Sequence, residues 1–353
     1  MAASHIFRQK EGNAMRQIKV LVVEDSIVFR NLLVQGLKED PNIEVVGVAG
    51  DPFEAKDIIP QCKPDVMTLD IEMPKMNGIE FLRKLMPQYP MPVIMLSGMD
   101  GKVFDAMEAG AVDFAHKPVN MSRGTVNDFI RQELITKVKI ASSVDVRKLR
   151  RTEMSRLVRR DRLSNSNCII AIGASTGGTE AIHDIIKQFH NDIPGVVIVQ
   201  HMPAGFTQMY ADRMNNQCEV EVKEAQDGDM VKRGQVLIAP GGYQMRLVKF
   251  GSEYFVECKK EEKVSGHCPS VDMLFDSVAK TAGADSIGVI LTGMGGDGSR
   301  GMKAMKNCGA VTIGQDEATS VVYGMPKVAY DIGAVRYQLP LCDIAHKIYS
   351  LLE

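Results

Sequence analysis

The chain has 353 residues, enough for two ordinary domains that each bury a core of their own. Its formal net charge of −2 argues against a general nucleic-acid binder, and no segment approaches a transmembrane span. Seven cysteines run from Cys62 to Cys342 without a CxxC pair, which suggests reduced thiols in a cytosol. The 22 methionines and the absence of Trp read mainly as pliable core filling, with a peptide groove as the lesser reading. Residues 1–17 lack a hydrophobic run and do not read as a signal peptide; Met15, just before the first strand, is a candidate start.

In chain order, Ile18–Val23 is an apolar strand that ends in Glu24-Asp25-Ser26. Val66–Leu69 is another, ending in Asp70 ahead of Ile71-Glu72-Met73-Pro74. Val93–Leu96 ends in Ser97-Gly98, and Phe114–His116 leads into Lys117-Pro118. Helical patterns lie between them at Ser26–Glu39, Pro52–Gln61, Gly78–Met86 and Val103–Ala109. This alternation predicts a five-stranded parallel sheet with helices on both faces. Three acids then meet at one end of the sheet, beside a hydroxyl and a lysine. Mg²⁺ takes oxygen ligands and leaves room for phosphate oxygens, so such a cluster suits it. Without a cation the acids repel one another.

A basic stretch follows. From Arg147 to Arg162 the arginines are opposed only by Glu153 and Asp161, which reads as a solvated helix or a flexible linker. A docking strip for an acidic partner is the alternative. Nucleic-acid binding lacks aromatic residues and a base-reading motif. The expected organisation is a first domain at 17–140, a basic linker at 141–166 and a second domain at 167–353.

The second core begins at Cys168. Ile169, Ile170 and Ile172 mark a buried strand, Gly173-Ala174-Ser175 turns, and Thr176-Gly177-Gly178 opens a helix through Ala181, Ile182, Ile185 and Ile186. Small neighbours let Ser175 occupy a sharp turn with its hydroxyl above the sheet. Val196–Val199 is a second strand, ending in Gln200-His201. Ile287–Leu291 is a third, followed by Thr292-Gly293-Met294-Gly295-Gly296-Asp297. If the three are parallel, Ser175, His201 and Asp297 share the edge where open α/β sheets collect ligand groups. A serine needs a base to take its proton, and the base needs a carboxylate to orient it. The N–H groups of Thr176 and Met294 are the candidate oxyanion donors. Gln244–Lys249 and Tyr254–Lys259 form a predicted β-hairpin about Phe250–Glu253. Ser270 is positioned to cap a helix over Val271–Ala282. His267 and Cys268 are adjacent, without the further ligands a metal centre requires.

Both halves resemble known families through TLDIEMPKMNG, IAIGASTGGTEAI, QHMPAGFT, HCPSVDMLF and ILTGMGGDG. Residues 18 to about 140 resemble a response-regulator receiver domain, and residues 168–353 resemble the catalytic domain of the chemotaxis protein-glutamate methylesterases, CheB. The fold implied is α/β throughout: a flavodoxin-like five-stranded receiver and a larger, mostly parallel catalytic domain with a β-hairpin. The resemblance implies phosphorylation at Asp70. It also implies Mg²⁺ held by Asp25, Asp70 and the Glu72 carbonyl with Glu24 nearby, and phosphoryl contacts from Ser97 and Lys117. Glu24 stands where many receivers have Asp. In the second half the resemblance implies Ser175 as nucleophile, His201 as base and Asp297 as orienter, with no cofactor for the ester chemistry.

The implied protein is a cytoplasmic monomer, neither inserted in a membrane nor bound to nucleic acid. It hydrolyses glutamate methyl esters on chemoreceptor cytoplasmic domains, releasing methanol, and deamidates glutamine. A chemotaxis histidine kinase supplies the phosphoryl group, and the receiver gates the catalytic site. The rival reading is a non-catalytic adaptor that holds receptors or a kinase. A DNA-binding output requires a helix-turn-helix where βα alternation stands instead. A nucleotide site at Gly173–Gly178 lacks the acidic ribose contact.

Overall fold

The computed structural model describes residues 16–98, 101–146 and 168–353, so the arginine run from Arg147 to Arg162 lies outside the described residues. The chain divides into two compact units, the division falling after residue 149, inside the stretch 141–166 read as a linker.

The first unit alternates β1 (Ile18–Val23), α1 (Ile27–Lys38), β2 (Ile43–Ala49), α2 (Pro52–Cys62), β3 (Val66–Asp70), α3 (Gly78–Leu85), β4 (Val93–Ser97), α4 (Lys102–Glu108) and β5 (Asp113–His116). It closes with α5 (Arg123–Phe129), which runs through a π-helical turn at Ile130–Leu134 into α6 (Ile135–Ala141). The sheet order is β2-β1-β3-β4-β5, and every pair is parallel. This is the flavodoxin-like order that the resemblance to a receiver domain implied. The fifth strand is β2, which the sequence reading did not place although residues 45–49 are an apolar run; several of its residues are only half-buried. Every residue of β3 and β4 is buried, because helices cover both faces of a parallel sheet. Helix starts are set locally: Ser26 accepts from the Phe29 N–H, Asp51 from Phe53 and Glu54, and Asn77 from Glu80.

The chain turns to opposite sides of β1 for β2 and β3, so the carboxyl ends of β1 and β3 flank the point where strand order reverses. Glu24, Asp25 and Asp70 stand there. Gly78, the first residue of α3, packs directly on this end: a Cβ on it would lie 2.0 Å from the Asp70 carbonyl oxygen. Backbone cannot move aside as a side chain can. Gly78→Ala is therefore expected to destabilise the first unit by about 1–3 kcal/mol, read as a lower denaturant midpoint. An unchanged midpoint would show that the β3–α3 loop yields freely.

The second unit carries β6 (Ile169–Ala174), α7 (Gly178–Ile186), β7 (Val196–Gln200), α8 (Phe206–Gln217), β8 (Glu221–Glu224) and β9 (Gln235–Ile238). After them come β10 (Gln244–Phe250), β11 (Glu253–Lys259), α9 (Val271–Thr281), β12 (Ser286–Ile290), α10 (Ser299–Asn307), β13 (Val311–Gln315), α11 (Met325–Asp331), β14 (Tyr337–Leu339) and α12 (Leu341–Leu352). Seven strands form one sheet in the order β14-β13-β12-β6-β7-β9-β8, and all its pairs are parallel. β10 and β11 form the antiparallel hairpin, one residue longer on each inner side than the sequence pattern indicated. The hairpin is tied to α9: the Leu247 N–H donates to Ser277 Oγ, and Thr281 Oγ1 donates to the Leu247 carbonyl.

All of β6, β7 and β12 is buried. Each fully buried Ile or Val side chain there contributes on the order of 1.5–3 kcal/mol of hydrophobic stabilisation. The central strands β12, β6 and β7 lie side by side. After β6 the chain goes to one side for β7, β8 and β9, then to the other for β12, β13 and β14.

Candidate active site

Ser175 follows the last residue of β6, at that reversal of strand order. The sharp turn depends on glycines. Gly177 has φ +77°, and a Cβ on it would lie 2.5 Å from the Val321 side chain. A Cβ on Gly178 would lie 2.1 Å from Gln200 Oε1. Gly293 abuts the serine itself, its ideal Cβ falling 2.7 Å from Ser175 Cβ.

Three loops are tied together by their backbones. The Ser175 N–H donates to the Thr292 carbonyl (3.0 Å), and the His201 N–H donates to the Ala174 carbonyl (3.1 Å). Gln200 Nε2 donates to the carbonyls of both Ser175 (2.9 Å) and His201 (3.2 Å). Fully buried Thr292 gives its hydroxyl to the Thr176 carbonyl (3.0 Å) and accepts the Val322 N–H (2.9 Å).

The structure joins His201 to Asp297: Nε2 lies 2.8 Å from Oδ2, and the two side chains are only 8% and 1% exposed. Asp297 accepts three further bonds, from Ser270 Oγ (2.8 Å), the Val271 N–H (2.7 Å) and the Asp272 N–H (3.1 Å). Burial opposes ionisation of this carboxyl, but the His201 bond and charge with the Ser270 and Val271 donors outweigh it, holding Asp297 below the usual carboxylate range. An ionised carboxylate only accepts, so Nε2 carries the proton and Nδ1 bears the lone pair. His201 Nδ1 is buried and has no hydrogen-bond partner among the described residues. This is the reverse of the trypsin-type arrangement, in which Nδ1 faces the carboxylate.

One expectation is corrected here. Ser270 precedes α9 but does not cap it with its side chain; its hydroxyl goes to Asp297. The Asp297 carboxylate itself takes the first N–H groups of α9, because a buried charge there gains more from two helix-terminal donors than a neutral hydroxyl does.

Sequence reading did not single out Gln200 or Thr292, nor Ser270 as a partner of Asp297. All three lie inside the quoted motifs, which was the only signal available. His267 stacks face to face on His201, ring centroids 3.6 Å apart and planes 9° from parallel. Thr176 is buried, whereas Met294 is 42% exposed on the loop beside Ser175.

In the first unit, carboxylate oxygens of Glu24, Asp25 and Asp70 lie within 4.8 Å of one another, Asp25 being the most exposed of the three. Lys117 Nζ bridges Asp70 Oδ2 (2.7 Å) and Glu24 Oε2 (2.8 Å). Burial pushes the Glu24 carboxyl up to about 7, the Asp70 charge adding to it and Lys117 opposing it. Burial likewise raises Asp70 against the pull of Lys117. The lysine is raised, since Asp70 and Glu24 outweigh its own burial. The cluster thus carries more acid than one ammonium neutralises, which fits a hard divalent cation among oxygen donors. Glu72 lines the same pocket of about 540 Å³, and its N–H donates to Asp70 Oδ1 (3.3 Å). Ser97 is buried with its hydroxyl donated to the Gly98 carbonyl (2.8 Å).

Among the described residues, no helix is long and apolar enough to cross a membrane. The family profile for CheB methylesterase matches residues 170–348, and that for the response regulator receiver domain matches residues 20–126. A curated protein-glutamate methylesterase/protein-glutamine glutaminase of Syntrophomonas wolfei is 59% identical over 340 residues, spanning 96% of this chain and 99% of that protein. Another, from Syntrophotalea carbinolica, is 51% identical over 96% of this chain and 98% of its own length. The crystal structure of the Thermotoga maritima CheB methylesterase catalytic domain covers 53% of this chain and 99% of its own, at 40% identity and a TM-score of 0.52. This protein therefore belongs to the CheB methylesterase family and carries a response regulator receiver domain ahead of its catalytic half.

Proposed function

We propose that this protein is a cytoplasmic, monomeric protein-glutamate methylesterase and protein-glutamine deamidase whose activity is switched by phosphorylation of its receiver. The observation that carries the reading is the His201–Asp297 couple at a strand end next to Ser175, with His201 Nδ1 left without a partner among the described residues. Ser175 Oγ attacks the ester carbonyl of a γ-glutamyl methyl ester on a chemoreceptor, and Nδ1 accepts the hydroxyl proton. Asp297 stabilises the imidazolium, and the Thr176 and Met294 N–H groups receive the developing oxyanion. His201 returns the proton as methanol leaves. Water then attacks the acyl-enzyme, giving its proton to Nδ1, and Ser175 departs with that proton to leave a free glutamate. A glutamine amide follows the same course with ammonia as the leaving group.

In the receiver, Asp70 takes the phosphoryl group from a histidine kinase. Asp25, Asp70 and the Glu72 carbonyl are the ligands assigned to Mg²⁺, with Glu24 beside them. The cation would neutralise charge between carboxylate and phosphoryl oxygens. Lys117 and Ser97 are the phosphoryl contacts. The proposed organisation is a receiver at 17–140, a linker at 141–166 and a catalytic domain at 167–353, with the receiver restraining access to Ser175.

Methanol release from methylated receptor membranes tests this reading. Release is expected from the full chain, to rise when a small-molecule phosphodonor and Mg²⁺ are added. A fragment beginning near Asn165 is expected to exceed the unphosphorylated full chain. A tenfold gain corresponds to about 1.4 kcal/mol of closure. A folded fragment no faster than the unphosphorylated parent would rule out restraint by the receiver.

A further inference from the structure

Among the described residues, His267 is the one ring placed flat against His201, and neither the ester chemistry above nor the receiver switch uses it. The two imidazoles stack with centroids 3.6 Å apart and planes 9° from parallel. Several independent contacts aim His267 at this position. Val264 and His267 exchange backbone hydrogen bonds of 2.9 Å each across the two-residue turn Ser265-Gly266. Both turn residues have positive φ, +53° and +85°, the signature of a type I′ turn. Serine holds a left-handed conformation at a cost, and here it is pinned: Ser265 Oγ accepts from Arg300 (3.1 Å) and donates to Asp272 (3.3 Å). On the other side, Gln244 Nε2 donates to the His267 carbonyl (3.1 Å), while its Oε1 accepts the Ser270 N–H (2.9 Å).

We infer that His267 is a positioning residue for the hydrolysis: its ring face holds the His201 imidazole where Nε2 meets Asp297 and Nδ1 stays available for the serine proton. This inference rests on the esterase reading above. The second side-chain torsion of a histidine lies in a broad well, and one hydrogen bond to Asp297 does not prevent the ring from tilting. A flat neighbour in van der Waals contact does, because rotation about Cβ–Cγ drives the ring edge into it. The face must also be uncharged when His201 takes up a proton. Burial, followed by the adjacent His201 charge, pushes His267 down to about 4, with Asp297 working the other way and Lys263 adding to the fall. At neutral pH the imidazolium therefore forms against a neutral aromatic face, an attractive arrangement.

The test uses the full chain with methylated receptor membranes. His267→Ala is expected to lower kcat by about 10- to 100-fold with KM changed no more than a few-fold, since orientation at the reacting atoms is lost and receptor binding is not. His267→Phe restores a neutral flat face and is expected to recover kcat to within about five-fold of the parent. Thermal unfolding of both variants, with rates measured well below either midpoint, separates positioning from loss of fold. A folded alanine variant with parental kcat overturns the inference, as does a folded phenylalanine variant no better than alanine. The Ser175→Ala chain, run alongside, keeps the two readings apart. If it releases methanol as the parent does, the esterase reading and this one both fall. If only the His267 variants behave as the parent, the esterase reading stands and this one alone fails.

Discussion

Ser175→Ala is expected to reduce methanol release by about 10⁴-fold or more, with the fold unchanged. The turn that carries Ser175 is set by Gly177, Gly178 and Gly293 and by backbone bonds to Thr292 and Gln200, none of which uses the serine hydroxyl. Alanine fits the same half-buried site, so the thermal midpoint should stay close to that of the parent. His201→Ala should be similarly severe. Asp297→Asn should cost several orders of magnitude yet less than either, but it is a less clean test. The four partners around Asp297 are all donors, so a carboxamide NH₂ would face N–H and O–H groups and unsettle α9 as well. Initial rates of methanol release and thermal melts decide the matter. A Ser175→Ala chain with parental turnover would end the esterase reading.

Asp70→Asn is expected to abolish both acyl-phosphate formation and the rise in turnover with a phosphodonor and Mg²⁺. A carboxamide cannot form the acyl phosphate, and the cation loses an anionic ligand. Basal methanol release should persist, because Ser175, His201 and Asp297 belong to the other unit. Lys117 keeps its contact with Glu24, so the receiver should fold. Intact-mass measurement after incubation with the phosphodonor reads the outcome. A single phosphoryl adduct still forming on the Asp70→Asn chain would show that another residue accepts the group.

Six buried strands, β1, β3, β4, β6, β7 and β12, were plain in the sequence as short apolar runs, whereas β9 and β13, as deeply buried, were not placed. β2, with its half-exposed residues, was not placed, and neither were β8, β9, β13 and β14 at the flanks of the larger sheet. β8 and β14 carry exposed residues and interrupt the apolar pattern. Ser175 and His201 were legible as polar residues directly after apolar strands, Asp70 as the polar end of one, and Asp297 at the end of the glycine loop that follows β12. Ser270 was misread because a serine before a helix is ordinarily its cap, and nothing local reveals a carboxylate arriving from 27 residues away.

The sequence by itself pointed to the residues proposed to carry the chemistry, because strand ends, glycine turns and helix starts follow from local pattern and backbone sterics. It also indicated a parallel sheet in the first half, where helices intervene between the strands, whereas in the second half parallel pairing stood only as a condition. The order of strands was decided only in three dimensions. It sets β12 and β7 on either side of β6 and so brings Asp297, Ser175 and His201 to one edge. Likewise only packing decided which imidazole nitrogen meets the carboxylate, that α9 presents its first N–H groups to Asp297, and that His267 lies flat on His201. Each of these joins residues far apart in the chain, and no local propensity specifies such a meeting; it follows from how the layers close over a shared core.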